Sequence, residues 1–186
     1  MGLDMYLEAK RTYYNTDWVK EKERKTAIQI REAIPEIKNI DTGNLNYTGV
    51  KIEVGYWRKA NAIHQWFVEN CQDGEDNCEE HYVKRENLKS LLKTCKEIIK
   101  ESKLKDGKIT NGYTIKDGTQ VPILEDGKCV ENPEIAEKLL PTTRGCFFGS
   151  TDYDEYYIND IKRTIKIIEE CLKLPDKWSI YYRSSW

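Results

Sequence analysis

A net excess of either charge is missing from this sequence: 30 basic residues stand against 32 acidic ones, so no basic field gathers nucleic acid nonspecifically. Duplex DNA is therefore not an expected partner. Long apolar runs are missing as well, since the longest are a few residues broken by Lys, Glu or Asp, where a membrane-spanning helix needs about 20. No membrane attachment is expected. The start, MGLDMYLEAKR, has neither a basic segment followed by an apolar one nor the Ser or Thr that myristoylation would place at Tyr6. A cytoplasmic chain is the expectation. Histidine is scarce, with two residues, and His81 follows Cys71 and Cys78 in a C-x6-C-x2-H arrangement unlike the close pairs of zinc sites. No metal and no cofactor is expected from it. The six cysteines, Cys71, Cys78, Cys95, Cys129, Cys146 and Cys171, are scattered and read as free thiols, with Cys95 and Cys171 on apolar helix stripes.

What is present is enough hydrophobic residue, 39% of 186, to bury one core. Residues 3–14 set Leu3, Met5 and Leu7 against Asp4, Tyr6 and Glu8, the period of a half-buried strand. Residues 17–34 read as a helix capped by Asp17, with Ala27, Ile30, Arg31 and Ile34 on one face, its KEKERK half in solvent, and Pro35 as its stop. Asp41 to Gly49 reads as a loop, KIEVGYW as a second strand, and ANAIHQWFVENC as a helix burying Ala60, Ile63, Trp66, Phe67 and Cys71 while Arg58, Asn61 and His64 face its other side or edge. HYVK is a short strand, and residues 86–102 form the clearest helix, with Leu88, Leu91, Cys95 and Ile98 in register. Between 103 and 131 the pairs Asp106-Gly107, Asn111-Gly112, Asp117-Gly118 and Asp126-Gly127 mark turns in a hairpin-rich excursion. Asn132-Pro133-Glu134 starts a short helix that Pro141 stops, Thr151 and Asp154 match a capping box for a long amphipathic helix, and WSIYYRSSW closes the chain as a strand. This order lacks strand-helix alternation, so the expected fold is α+β: one domain over 1–186, a mainly antiparallel sheet covered by several helices.

Two segments carry the candidate chemistry, GYWRKANAIHQWF and PTTRGCFFGSTDYDEYY. About half of their aromatic residues belong to the core by helical spacing alone. The remainder, Tyr56, Trp57, Phe148 and Tyr156, beside Arg58, Lys59, Asn61 and Arg144, suit a pocket with flat walls and cationic donors for a nucleotide-like ligand. Gly149-Ser150-Thr151 precedes a helix, where Ser150 and Thr151 would either hold an anion or act as an ordinary cap, the acids Asp152, Asp154 and Glu155 favouring the cap. His64 is the one histidine in these segments; it reads either as a structural residue or as a general base acting with Asp152 or Asp154.

The MGLDMYL start, the GYWRKANAIHQWF block and the PTTRGCFFGSTDYDEYY block together resemble a family of small uncharacterised phage and prophage proteins. That resemblance implies a host-cell cytoplasm as the setting and names no reaction. Three functions follow as expectations: a binding protein for a small polar or nucleotide-like molecule, with sequestration of a host signalling nucleotide as one role for it; a hydrolase or nuclease using His64 with Asp152 or Asp154; and an inhibitor or adaptor that meets a host protein through exposed Trp and Tyr. The oligomeric state is left open.

Overall fold

The computed structural model describes residues 2–38, 40, 46–145 and 147–186; Met1, the 41–45 part of the expected loop and Cys146 lie outside the described residues. Strand β1 (Asp4–Tyr14) is central to a four-stranded antiparallel sheet of order β2-β1-β6-β3, with β2 Tyr47–Arg58, β3 His81–Val83 and β6 Ser179–Ser185. Its alternation is carried through in full: Leu3, Met5, Leu7 and Ala9 are all buried on one face. Against that face lie α2 (Asn61–Cys71), α3 (Arg85–Glu101) and α5 (Glu155–Leu172), while α1 (Glu21–Glu32) packs on β1 and β2. Phe67 of α2 stacks on Tyr182 of β6 with ring centroids 4.0 Å apart, joining helix layer and sheet. The α+β, mainly antiparallel architecture is thus as the sequence led one to expect.

The opposite face of the sheet is polar and aromatic. Glu8 is buried there between Lys51, 2.8 Å from both carboxylate oxygens, and Arg183 at 3.1 Å. Burial works to raise its pKa, and the two cations overcome that and leave it below the usual carboxylate range. Tyr6 and Tyr56 pack beside it, with Arg183 over the Tyr6 ring.

Residues 104–130 form a long two-stranded hairpin, β4 (Leu104–Lys116) and β5 (Thr119–Val130), separate from the main sheet. Of the four Asx-Gly pairs expected to mark turns, Asp117-Gly118 alone makes the hairpin turn, both residues having positive φ (52° and 74°). The others lie within strands: Gly107 faces Gly127 across the ladder, and Asn111-Gly112 falls at the register shift between Thr110 and Tyr113.

Helix boundaries differ from expectation where cap chemistry was ambiguous. Helix α1 starts at Glu21, and Asp17 pairs with Arg24 at 2.6 Å in place of capping; Ile34 falls beyond the helix and is exposed. The short helix α4 (Glu134–Leu139) has Pro133 at its N-cap, so Asn132 does not cap it. The amino end of α5 is capped by Asp154 itself, whose Oδ1 accepts from Tyr157 N at 2.9 Å, and not by Thr151.

Gly55 fixes how closely α5 approaches the sheet, because a Cβ built there would stand 2.3 Å from Ile167 Cγ2. Gly55→Ala is expected to cost about 1–3 kcal/mol in urea denaturation, the usual range for overpacking. Part of that loss should return when Ile167→Leu removes the branched carbon; no recovery in the double variant would show that the contact is not the cause.

Candidate functional site

The end of β2, the loop 142–150, the start of α5 and the inner face of the hairpin enclose a cleft of about 1020 Å³. Each wall is held by named bonds. Lys59 N donates to Leu3 O at 2.7 Å, anchoring the β2–α2 corner to β1, and Lys59 itself takes a left-handed conformation with φ 59°. Gly149 (φ 92°) passes directly over it: a Cβ there would lie 3.2 Å from Lys59 Cβ, so any side chain would be strained by its backbone conformation and press on the corner.

Asn61 secures the loop. Its Nδ2 donates to Ser150 O at 2.8 Å and Phe148 O at 3.2 Å, and its Oδ1 accepts from Thr143 N at 3.1 Å. At 4% exposure the side chain is almost wholly committed to these partners. Asn61 and His64, expected on the outer side of the helix, are both buried because α2 is covered on that side by the loop and the β6 end of the sheet.

The hairpin is tied to the floor from the other direction. Asp152 Oδ2 accepts from Thr110 N at 3.0 Å, Glu155 Oε1 accepts from Lys128 N at 3.0 Å, and Val130 N donates to Tyr153 O at 2.8 Å. Residues 110–115 of β4 thereby become a wall of the cleft, with Asn111, Tyr113 and Thr114 among its lining.

Three carboxyl groups line the floor: Asp152, Asp154 and Asp160. Asp154 is 2% exposed, with one oxygen spent on the helix cap and the other, Oδ2, without a hydrogen-bond partner among the described residues. Burial pushes its carboxyl above the usual range, against the pull of the Tyr157 and Tyr156 N–H groups. Asp160 is pushed up to about 7, chiefly by burial; Arg163 opposes the shift and the charge of Asp154 adds to it. Its backbone is fixed through Thr164, whose hydroxyl donates to Asp160 O at 2.7 Å and accepts from Trp57 Nε1 at 2.8 Å.

Of the residues singled out in the sequence, Arg58, Lys59, Asn61, Phe148, Ser150, Asp152, Asp154 and Tyr156 come together around this cleft. Tyr56 and Trp57 do not. As neighbours on a strand they point to opposite faces, so Tyr56 lies on the outer face bonded to Asp4, and Trp57 is fully buried in the core. Arg144 is exposed away from the lining, and Thr151 contributes its carbonyl to Thr142 Oγ1 at 2.9 Å. Because Asp154 caps α5, the Gly149-Ser150-Thr151 segment is not the open helix end that anion binding there would require; Ser150 Oγ instead accepts from Asp152 N at 3.0 Å.

His64 lies outside the cleft lining, and its partners differ from those expected. Nδ1 is 2.8 Å from Tyr182 Oη and Nε2 is 2.9 Å from Asp76 Oδ2, so neither ring nitrogen meets Asp152 or Asp154. Trp186 Nε1 donates to the second Asp76 oxygen at 3.1 Å, and the Phe148 ring meets the imidazole edge-on. This is a satisfied core network. No group of three His, Cys, Asp or Glu side chains able to hold a metal occurs among the described residues, and none of the described helices is long and apolar enough to cross a membrane. The described cysteines are unpaired; burial pushes Cys95 up to about 12 and Cys171 up to about 11, which makes both inert thiols at neutral pH.

Asp160 was not singled out in the sequence, although a signal existed. It stands three residues after Tyr157 and four before Thr164, both buried, so helical geometry alone places it on the inward flank of α5. No family model matches the chain, and no curated protein or solved structure matches it either.

Proposed function

We propose that the cleft holds a small polar, nucleotide-like molecule and that the protein is a binding protein for it. The observation that carries this reading is backbone strain at the rim. Lys59 (φ 59°) and Phe147 (φ 62°) are bulky residues in the left-handed region, where each costs on the order of 1–3 kcal/mol. Both line the cleft. Strain of this kind clusters at ligand clamps where the surroundings hold it, and the two side chains here, unlike the left-handed Asp117 of the hairpin turn, are a cation and a ring that is 65% exposed on the cleft.

Their neighbours extend the same chemistry. Arg58 adds a second cation and Tyr156, 55% exposed, a second accessible ring. Guanidinium and ammonium groups suit phosphate, and exposed rings suit the faces of a base. The cleft volume, at the upper end of ordinary small-molecule sites, leaves room for both halves of a nucleotide. In a phage setting this activity would amount to sequestering a host signalling nucleotide.

The test is a thermal-shift titration against linear and cyclic nucleotides. A ligand at about 100 times its Kd adds about 2.7 kcal/mol of stability, which for a chain of this size raises Tm by about 5–10 °C. Arg58→Ala and Tyr156→Ala should each remove the shift with little change in the unliganded Tm, because both side chains are solvent-facing. Lys59→Gly separates strain from function: it should raise the unliganded Tm slightly while weakening binding. A flat response across the panel would sink the reading.

A further inference from the structure

We propose that Asp154 and Asp160 form the selectivity floor of the cleft and read an edge of the ligand that carries an exocyclic amino group, as on an amino-bearing nucleobase. This rests on the binding reading above and adds which member of the class is accepted.

The argument begins with Asp154 Oδ2. A buried acceptor without a donor costs about 1–3 kcal/mol, and native proteins leave few of them. Here the oxygen belongs to a side chain that lines the cleft, on a residue whose other oxygen is locked by the Tyr157 N–H. The cap therefore sets its direction: the carboxyl cannot rotate to find another partner without uncapping α5. An N–H donor brought in by the ligand satisfies it.

Asp160 supplies the second contact. Its carboxyl makes no side-chain hydrogen bond among the described residues, it lines the same cleft as Asp154, and it stands close enough to feel the Asp154 charge. Two neighbouring carboxyls with free oxygens offer acceptors in excess, and a carboxyl that holds its proton offers one donor besides. An amino group beside a ring nitrogen is complementary to that pattern. A keto oxygen in the same place finds one donor at most, and only while a carboxyl holds its proton, and leaves the remaining acceptors unmatched. The cations, by contrast, belong to a different wall, the β2–α2 corner, which orients the ligand with its anionic part toward Arg58 and Lys59 and its base toward α5.

The experiment is calorimetric titration with two matched pairs, adenosine against inosine monophosphate and guanosine against inosine monophosphate, on the wild-type chain and on Asp154→Asn. Asparagine keeps an oxygen for the helix cap and turns an NH2 into the cleft, so the fold is retained while the floor changes from acceptor to donor. The expected result is at least one amino-bearing nucleotide bound tenfold or more tightly than inosine monophosphate by the wild type, with that preference lost or reversed in Asp154→Asn. Asp160→Asn should narrow the preference without reversing it. Equal affinity for amino and keto bases would overturn this inference and leave the binding reading standing, whereas absence of binding by any of them, together with a flat thermal-shift panel, would remove both.

Discussion

Asn61→Ala is expected to lower stability by about 3 kcal/mol and to abolish binding in the cleft, even though the side chain is nearly closed off from a ligand. The variant leaves the carbonyls of Phe148 and Ser150 without their amide donor and Thr143 N without its acceptor. Each orphaned buried group costs about 1–3 kcal/mol, and water entering from the cleft recovers some of it. For a chain of this length the corresponding fall in Tm is about 6–12 °C. Other bonds still hold the loop at one end, Thr142 N to Tyr153 Oη at 3.1 Å and Thr142 Oγ1 to Thr151 O, so the 143–150 stretch should loosen while the sheet and α3 stay folded. Amide hydrogen exchange across these residues locates the effect. Asn61→Asp is a sharper probe, because it retains the acceptor for Thr143 and presents a second acceptor to two carbonyls. Its stability should rise as pH falls and the introduced carboxyl gains the proton it needs to donate. An unchanged Tm in Asn61→Ala would show that the loop is held by something else.

Asn61 also marks where the sequence could be read and where it could not. Elements buried on one side only were legible: the period of two in β1 and the helical spacing of Leu88, Leu91, Cys95 and Ile98 in α3 each point to a single face, and that face is the core. Helix α2 is buried on both sides, so its polar residues carry no periodic warning. What permits Asn61 and His64 inside is a set of partners far along the chain, Ser150, Tyr182 and Asp76 among them. Tyr56 and Trp57 were separable by strand alternation alone, since the strand read as KIEVGYW runs through both and sends neighbours to opposite faces. The hairpin was visible as a hairpin, but its role as a wall depends on contacts such as Thr110 N to Asp152, across forty-two residues of sequence. The site was thus legible in its composition, Arg58, Lys59, Phe148, Asp154 and Tyr156, and illegible in its depth, where Asp160 joins Asp154 on the floor.

That depth has a measurable consequence at Asp160. Asp160→Asn is expected to be more stable than the wild type at pH 8.5, by about 2–4 kcal/mol, with the difference closing near pH 4–5. The folded chain holds the Asp160 proton up to about pH 7, whereas the unfolded chain releases it near the ordinary aspartate value of about 3.9. Between those limits the folded state binds more protons than the unfolded one, so wild-type stability falls as pH rises through the window. Above it the folded protein carries a poorly solvated charge, offset in part by Arg163. Asparagine cannot ionise and escapes the loss. Urea denaturation of both chains at pH 5, 7 and 8.5 measures the effect; a difference independent of pH would show that Asp160 is not a buried acid. A group that weakens the fold at neutral pH is one that cleft function can retain against stability. The same carboxylate gives the linkage its second half: a ligand that donates to it satisfies the charge, so ligand stabilisation of the wild type should be greater at pH 8.5 than at pH 5, and Asp160→Asn should show no such rise.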